Sequence, residues 1–115
     1  MSELPLLIGL VGACGSGKTE LAQRLIAHGF RVRHIAQEHS FAPRMWQQIT
    51  NPDILIFLEV SYAATLKRKG FNWSEKEYQQ QLERLAHAHQ HADVFIDTDP
   101  LTPDEVFERV IDFLE

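Results

Sequence analysis

At 115 residues, 44% of them hydrophobic, the chain has enough apolar material for one compact core and too little length for two, so residues 1–115 are read as a single domain. A formal net charge of −5 disfavours a protein whose main ligand is a nucleic-acid backbone, which calls for a broad surplus of Lys and Arg. Cys14 is the only cysteine, which excludes an intramolecular disulfide and makes a reducing cytoplasmic setting, without export, the expectation.

Residues 5–11 (PLLIGLV) are a continuous apolar run. No basic residue precedes it, it contains Pro5, and it falls far short of the ~20 apolar residues of a membrane span. It reads as a strand buried on both faces of a parallel sheet, and no membrane partner is expected. The segment from Gly12 to Thr19 (GACGSGKT) follows at once and fits G-x-x-x-x-G-K-[ST] at every position. From Lys18 to His28, Leu21, Ala22, Leu25 and Ile26 recur at helical spacing, and Gly29 stands where a C-terminal cap belongs.

Residues 30–36 predict a second, shorter strand, whose Arg31, Arg33 and His34 suit a sheet edge. Ser40 is expected to cap a short helix running to Ile49, with Pro43 in its first turn and Asn51 and Pro52 as stops. Residues 54–58 (ILIFL), closed by Glu59, predict a central strand, and Ser61 opens a helix ending at Gly70. Ser74 with Glu77 forms a capping box for a long helix to about His91, buried along Tyr78, Leu82, Leu85 and Ala86. Residues 93–97 (DVFID) predict the last strand. Thr102, Pro103 and Glu105 then start a final helix with Val106, Phe107, Val110, Ile111 and Leu114 inward. Strands alternating with helices imply an α/β fold: a parallel sheet of about four strands, order 2-1-3-4, with helices on both faces.

The spacing of the glycine loop carries a specific chemistry. Glycines at 12, 15 and 17 allow the backbone to turn its N–H groups toward one anion, and the helix that follows adds its positive end. With Gly12, Ala13, Cys14, Gly15, Ser16 and Gly17 forming the cradle, Lys18 can reach the β and γ phosphates of a nucleoside triphosphate, and the Thr19 hydroxyl can hold Mg²⁺. A chance glycine-rich turn is the bland alternative, and the strand before the loop and the helix after it argue against that.

On these residues the chain resembles the P-loop kinases, the nucleoside and nucleotide kinase-like branch of the P-loop nucleoside triphosphate hydrolases. Residues 52–60 (PDILIFLEV) look like that family's fourth strand, 93–98 (DVFIDT) like its fifth, and 35–40 (IAQEHS) stand where many members carry an acid-Arg pair. The resemblance implies a three-layer fold, ATP or another triphosphate with Mg²⁺ as cofactors, and phosphoryl transfer to a small-molecule acceptor. It also implies passage of the adenine ring along residues 98–101 and a small lid at Arg68, flanked by Lys67 and Lys69. The stretch between the loop and Glu59 is shorter than the family's acceptor-binding segment. An alternative is therefore a nucleotide-binding sensor module, or a slow nucleoside triphosphatase switch, without an acceptor site.

Phosphoryl transfer needs an acid near Mg²⁺ and cations over the moving phosphate. Glu38, past the strand next to the loop strand, is the first candidate acid. Glu59, at the end of a hydrophobic strand, is the second candidate metal ligand, and Arg68 is the candidate phosphate clamp. Each has a plainer reading as a solvated loop acid, a helix-capping acid and a cation at a helix C-terminus. Arg44 and His39 are weaker candidates for holding an acceptor, and Arg84 suits a lid or an ion pair with Glu77 or Glu83. Trp46, Phe71 and Trp73 suit packing more than base stacking. His87 and His91 have i, i+4 spacing but lack a third metal ligand. Oxidation of Cys14 is expected to obstruct the loop.

Overall fold

The computed structural model describes residues 6–69 and 72–115, so Pro5, Gly70 and Phe71 lie outside the described residues. Four strands, β1 (Leu7–Gly12), β2 (Arg31–His34), β3 (Ile54–Glu59) and β4 (Val94–Asp97), form one sheet in the order β2-β1-β3-β4. Every pairing is parallel, with Ile8 opposite Val32 and Ile54, and Phe57 opposite Phe95. The expected α/β class and strand order are thus observed. β1 and β3, the two strands with continuous apolar runs, are the central ones, as burial on both faces requires.

Among the described residues four α-helices connect and cover the strands: α1 (Lys18–Ala27), α2 (Tyr62–Lys69), α3 (Glu75–His91) and α4 (Pro103–Leu114). One core packs Leu21, Ala22 and Leu25 of α1 and Val106 and Val110 of α4 against Ile8, Leu10, Ile56, Leu58 and Ile96. The other packs Leu85 and Ala88 of α3 with Trp46 against Val11, Leu55 and Phe57 on the opposite face. Alternation along β3 sends successive side chains to these two cores, Leu55 and Phe57 to one and Ile56 and Leu58 to the other. Among the described residues no helix is long and apolar enough to cross a membrane.

The helix ends follow their sequence signals. Gly29, at φ 97°, ends α1 with a Schellman arrangement: Phe30 N donates to Leu25 O and Gly29 N to Ile26 O, both at 3.0 Å. Both capping boxes, Ser74 with Glu77 and Thr102 with Glu105, are formed.

Three expectations are corrected. The helix expected from Ser40 to Ile49 is instead a 3₁₀ turn at Gln37–His39, an irregular turn through Pro43, and a π-helical turn at Trp46–Thr50. The buried side chain of Gln37 is the physical reason: its Oε1 accepts from Trp46 N at 2.9 Å, and its Nε2 donates to Ala42 O and Arg84 O. That staple delays the helix start, while the Ser40 hydroxyl accepts from Ala42 N and caps only a turn. Next, Ala86 is exposed; the buried positions of α3 are Gln81, Leu85 and Ala88, with Tyr78 and Leu82 half-buried. Finally, β2 spans four residues rather than seven.

Candidate functional site

The loop leaves β1 at its carboxyl end, where Gly12 faces Leu58 of β3. A Cβ on Gly12 would stand 2.6 Å from Leu58 O and 2.7 Å from Ser16 Oγ, so only glycine lets the loop fold back this closely. Gly15 (φ 86°) and Gly17 (φ 97°) are left-handed, a conformation costly for residues with a Cβ. Gly17 is also the N-cap of α1, and no side chain caps that end. The first N–H groups of α1 therefore lack both an intrahelical acceptor and a side-chain cap, which makes an anion-binding helix end.

Lys18 and Glu38 meet inside this turn. Lys18 Nζ donates to Gly12 O at 2.6 Å and Ala13 O at 3.3 Å, and lies 3.0 Å from Glu38 Oε2, with both side chains 5% exposed. Glu38 Oε1 is buried without a hydrogen-bond partner, as is Ser16 Oγ. Arg84 Nη1 donates to Glu38 O at 3.2 Å, fixing the backbone that carries the acid. Cys14, Gly15, Gly17, Lys18, Thr19, Glu20, His34 and Glu38 enclose a depression of about 200 Å³. His34 on its wall is held below the ordinary imidazole range by partial burial and then by the Lys18 ammonium, against a smaller opposing effect of Glu38.

A second depression, about 250 Å³, lies on the other side of the loop. Gly15, Ser16, Gly17 and Glu20 share its wall with Arg68, Thr98, Leu101, Pro103 and Val106. Arg68 crosses from α2 to this edge: Nη1 donates to Thr98 Oγ1 at 2.9 Å and to Gly15 O at 3.3 Å, and Nη2 donates to Thr98 O. Thr98 is itself tied to the end of β3 through Glu59 O.

The structure therefore gathers Thr19, Lys18 and Glu38 on one side of the loop and Arg68 on the other. Glu59 ends β3. Its carboxylate lies 3.2 Å from His89 Nε2 and lines a third depression, about 400 Å³, with Ala13, Tyr78 and Leu82. Arg44 is exposed in the turn before the π-helical segment. Trp46 is core, donating through Nε1 to His87 Nδ1 at 3.1 Å, and Arg84 stacks over Phe41 and, among the described residues, forms no ion pair with Glu77 or Glu83.

Gln81 was missed by sequence reasoning. Its Oε1 accepts from Cys14 N at 2.9 Å and its Nε2 donates to Cys14 Sγ at 3.1 Å, so α3 clamps the loop from 67 positions away in sequence. A glutamine on a helix gives no pattern by which such a partner could be found. No protein-family model matches the chain, and no curated protein matches it either.

Proposed function

We propose that the chain binds a nucleoside triphosphate with Mg²⁺ on the Gly12–Thr19 loop, in the manner of a P-loop kinase-like domain, and transfers the γ-phosphoryl group to a small-molecule acceptor. The observation that carries this reading is that Gly15 and Gly17 wall both depressions at once. A polyphosphate laid over these glycines has its nucleoside end in the more apolar depression, against Leu101, Pro103 and Val106, and its terminal phosphate beside Lys18, Thr19 and Glu38. The uncapped start of α1 meets the phosphate charge between them.

The donor set suits Mg²⁺, a hard cation that takes oxygen ligands. Thr19 offers a hydroxyl, and Glu38 retains an oxygen, Oε1, that no protein group uses. Thr19 and Glu38 would hold the ion, which supplies neutralisation of charge spread over the β and γ phosphates. Lys18 contributes a fixed positive charge on the same side, and Arg68 one on the other. In the reaction the acceptor oxygen bonds to the γ phosphorus, the bond to the bridging oxygen breaks, and the nucleoside diphosphate departs with that electron pair. The acceptor's proton is released to solvent.

A second reading, a nucleotide-binding module that performs no transfer, is favoured by the Lys18–Glu38 contact. In it the acid and the lysine neutralise each other, and between α1 and β3 stand only β2 and two short turns. The discriminating experiment incubates the protein with γ-labelled ATP, Mg²⁺ and a panel of nucleosides, nucleoside monophosphates and small metabolites, beside Thr19→Ala. A labelled acceptor that disappears with Thr19→Ala supports transfer. Saturable binding of ATP with no labelled acceptor replaces transfer by the binding module.

A further inference from the structure

A second kind of donor surrounds the same loop. Among the described residues, Cys14, Glu38 and His39 are a group of three side chains whose ligand atoms all lie within 4.8 Å of one another. Cys14 Sγ is 3.6 Å from His39 Nε2, and His39 Nε2 is 3.8 Å from Glu38 Oε2. Zinc bonds of about 2.0–2.3 Å at tetrahedral angles place donor atoms roughly 3.3–3.7 Å apart, so the two measured edges are already near those of a coordinated ion.

We propose that Cys14, Glu38 and His39 form a Zn²⁺ site that straps the glycine loop to the segment following β2. Three features support it beyond proximity. Glu38 is 4% exposed, and while its Oε2 meets Lys18, its Oε1 has no partner, an arrangement that costs free energy unless a donor or a cation meets that oxygen. Lys18 does not depend on Glu38 alone, because its ammonium also holds Gly12 O and Ala13 O. The Cys14 sulfur is oriented by the Gln81 amide, the outer-shell support that metal ligands commonly have.

The donor set selects the metal class. A thiolate and an imidazole with one carboxylate suit Zn²⁺, whereas Mg²⁺ wants oxygen throughout. Three protein ligands leave a fourth position open to water, and binding releases the Cys14 thiol proton to solvent. This site does not rest on the nucleotide reading, although it uses Cys14 and Glu38, which also line the depression that contains Thr19.

The test uses Co²⁺ as a visible substitute for Zn²⁺ on the full chain, reduced with a phosphine and free of nucleotide. Expected is one Co²⁺ per chain, with thiolate-to-cobalt charge-transfer absorption and the intense d–d bands of a four-coordinate ion, both erased by one equivalent of Zn²⁺. Cys14→Ser should abolish the charge-transfer band. His39→Ala, at an exposed position, should keep the circular dichroism spectrum of the wild type while weakening Co²⁺ binding at least about tenfold, since even outer-shell changes cost that much. Absence of a thiolate band in the wild type, or a band and affinity unchanged by His39→Ala, would overturn the proposal.

Discussion

Lys18 Nζ stands 3.0 Å from Glu38 Oε2 with both side chains almost fully out of water, which joins the first residue of α1 to the turn after β2. Removing one partner of such a pair leaves a buried charge uncompensated, and the cost is typically about 3–5 kcal/mol. Lys18→Met should therefore destabilise the fold by that order in a denaturant titration. Lys18→Met combined with Glu38→Leu should recover much of the loss, because both charges then leave together. Additive losses in the double variant would show that the pair is not coupled.

Gly12→Ala tests the close approach of the loop to β3. The added methyl group meets a backbone oxygen, Leu58 O, which the β1–β3 ladder prevents from moving. A loss of roughly 1–3 kcal/mol in stability is expected from the overpacking, together with weaker binding of any anion held by the loop. Unchanged stability would mean that the turn opens freely.

His34 gives a pH prediction with a definite sign. Its folded-state value is lowered from 6.5, so the unfolded chain binds the proton more readily. The stabilisation is fully present above about 6.5 and is lost as pH falls through the folded value. His87 shifts the same way through desolvation and the neighbouring His91, so His34→Asn is needed to isolate the effect. Melting temperature should fall between about pH 7.5 and 5.5 in the wild type and fall less in His34→Asn. Equal slopes for the two proteins would remove His34 from the account.

Arg68 links three segments through charged hydrogen bonds to Gly15 O, Thr98 Oγ1 and Thr98 O. Hydrogen bonds to charged groups contribute about 1.5–3 kcal/mol when well formed. Arg68→Met is expected to weaken triphosphate affinity by about ten- to a hundredfold, while Arg68→Lys keeps the charge but loses the fork and recovers only part of it. Affinity equal to the wild type in both variants would leave Arg68 a structural tie alone.

Much of this arrangement was legible in the chain itself. Strand type followed from the continuous apolar runs of β1 and β3, helix starts from the capping boxes at Ser74 and Thr102, and the loop from its glycine spacing. Each is a local signal, written within a few residues. Two departures, the missing 40–49 helix and the clamp on Cys14, come from glutamine side chains whose partners lie outside any local pattern. Gln37 reorganised the expected 40–49 helix by bonding to Trp46, Ala42 and Arg84, and Gln81 reached Cys14 across the domain. Glu59 ends its strand as expected, with its carboxylate 3.2 Å from His89 Nε2 on α3.

The central claim, a Mg²⁺-dependent triphosphate site on the glycine loop, is tested most directly by calorimetric titration of ATP and GTP into the wild type and Thr19→Ala, with and without Mg²⁺. Thr19 is exposed, so its substitution spares the core. Saturable 1:1 binding of at least one triphosphate is expected, strengthened by Mg²⁺ and losing that Mg²⁺ dependence in Thr19→Ala. No binding of either triphosphate, or binding indifferent to both Mg²⁺ and Thr19→Ala, would contradict it.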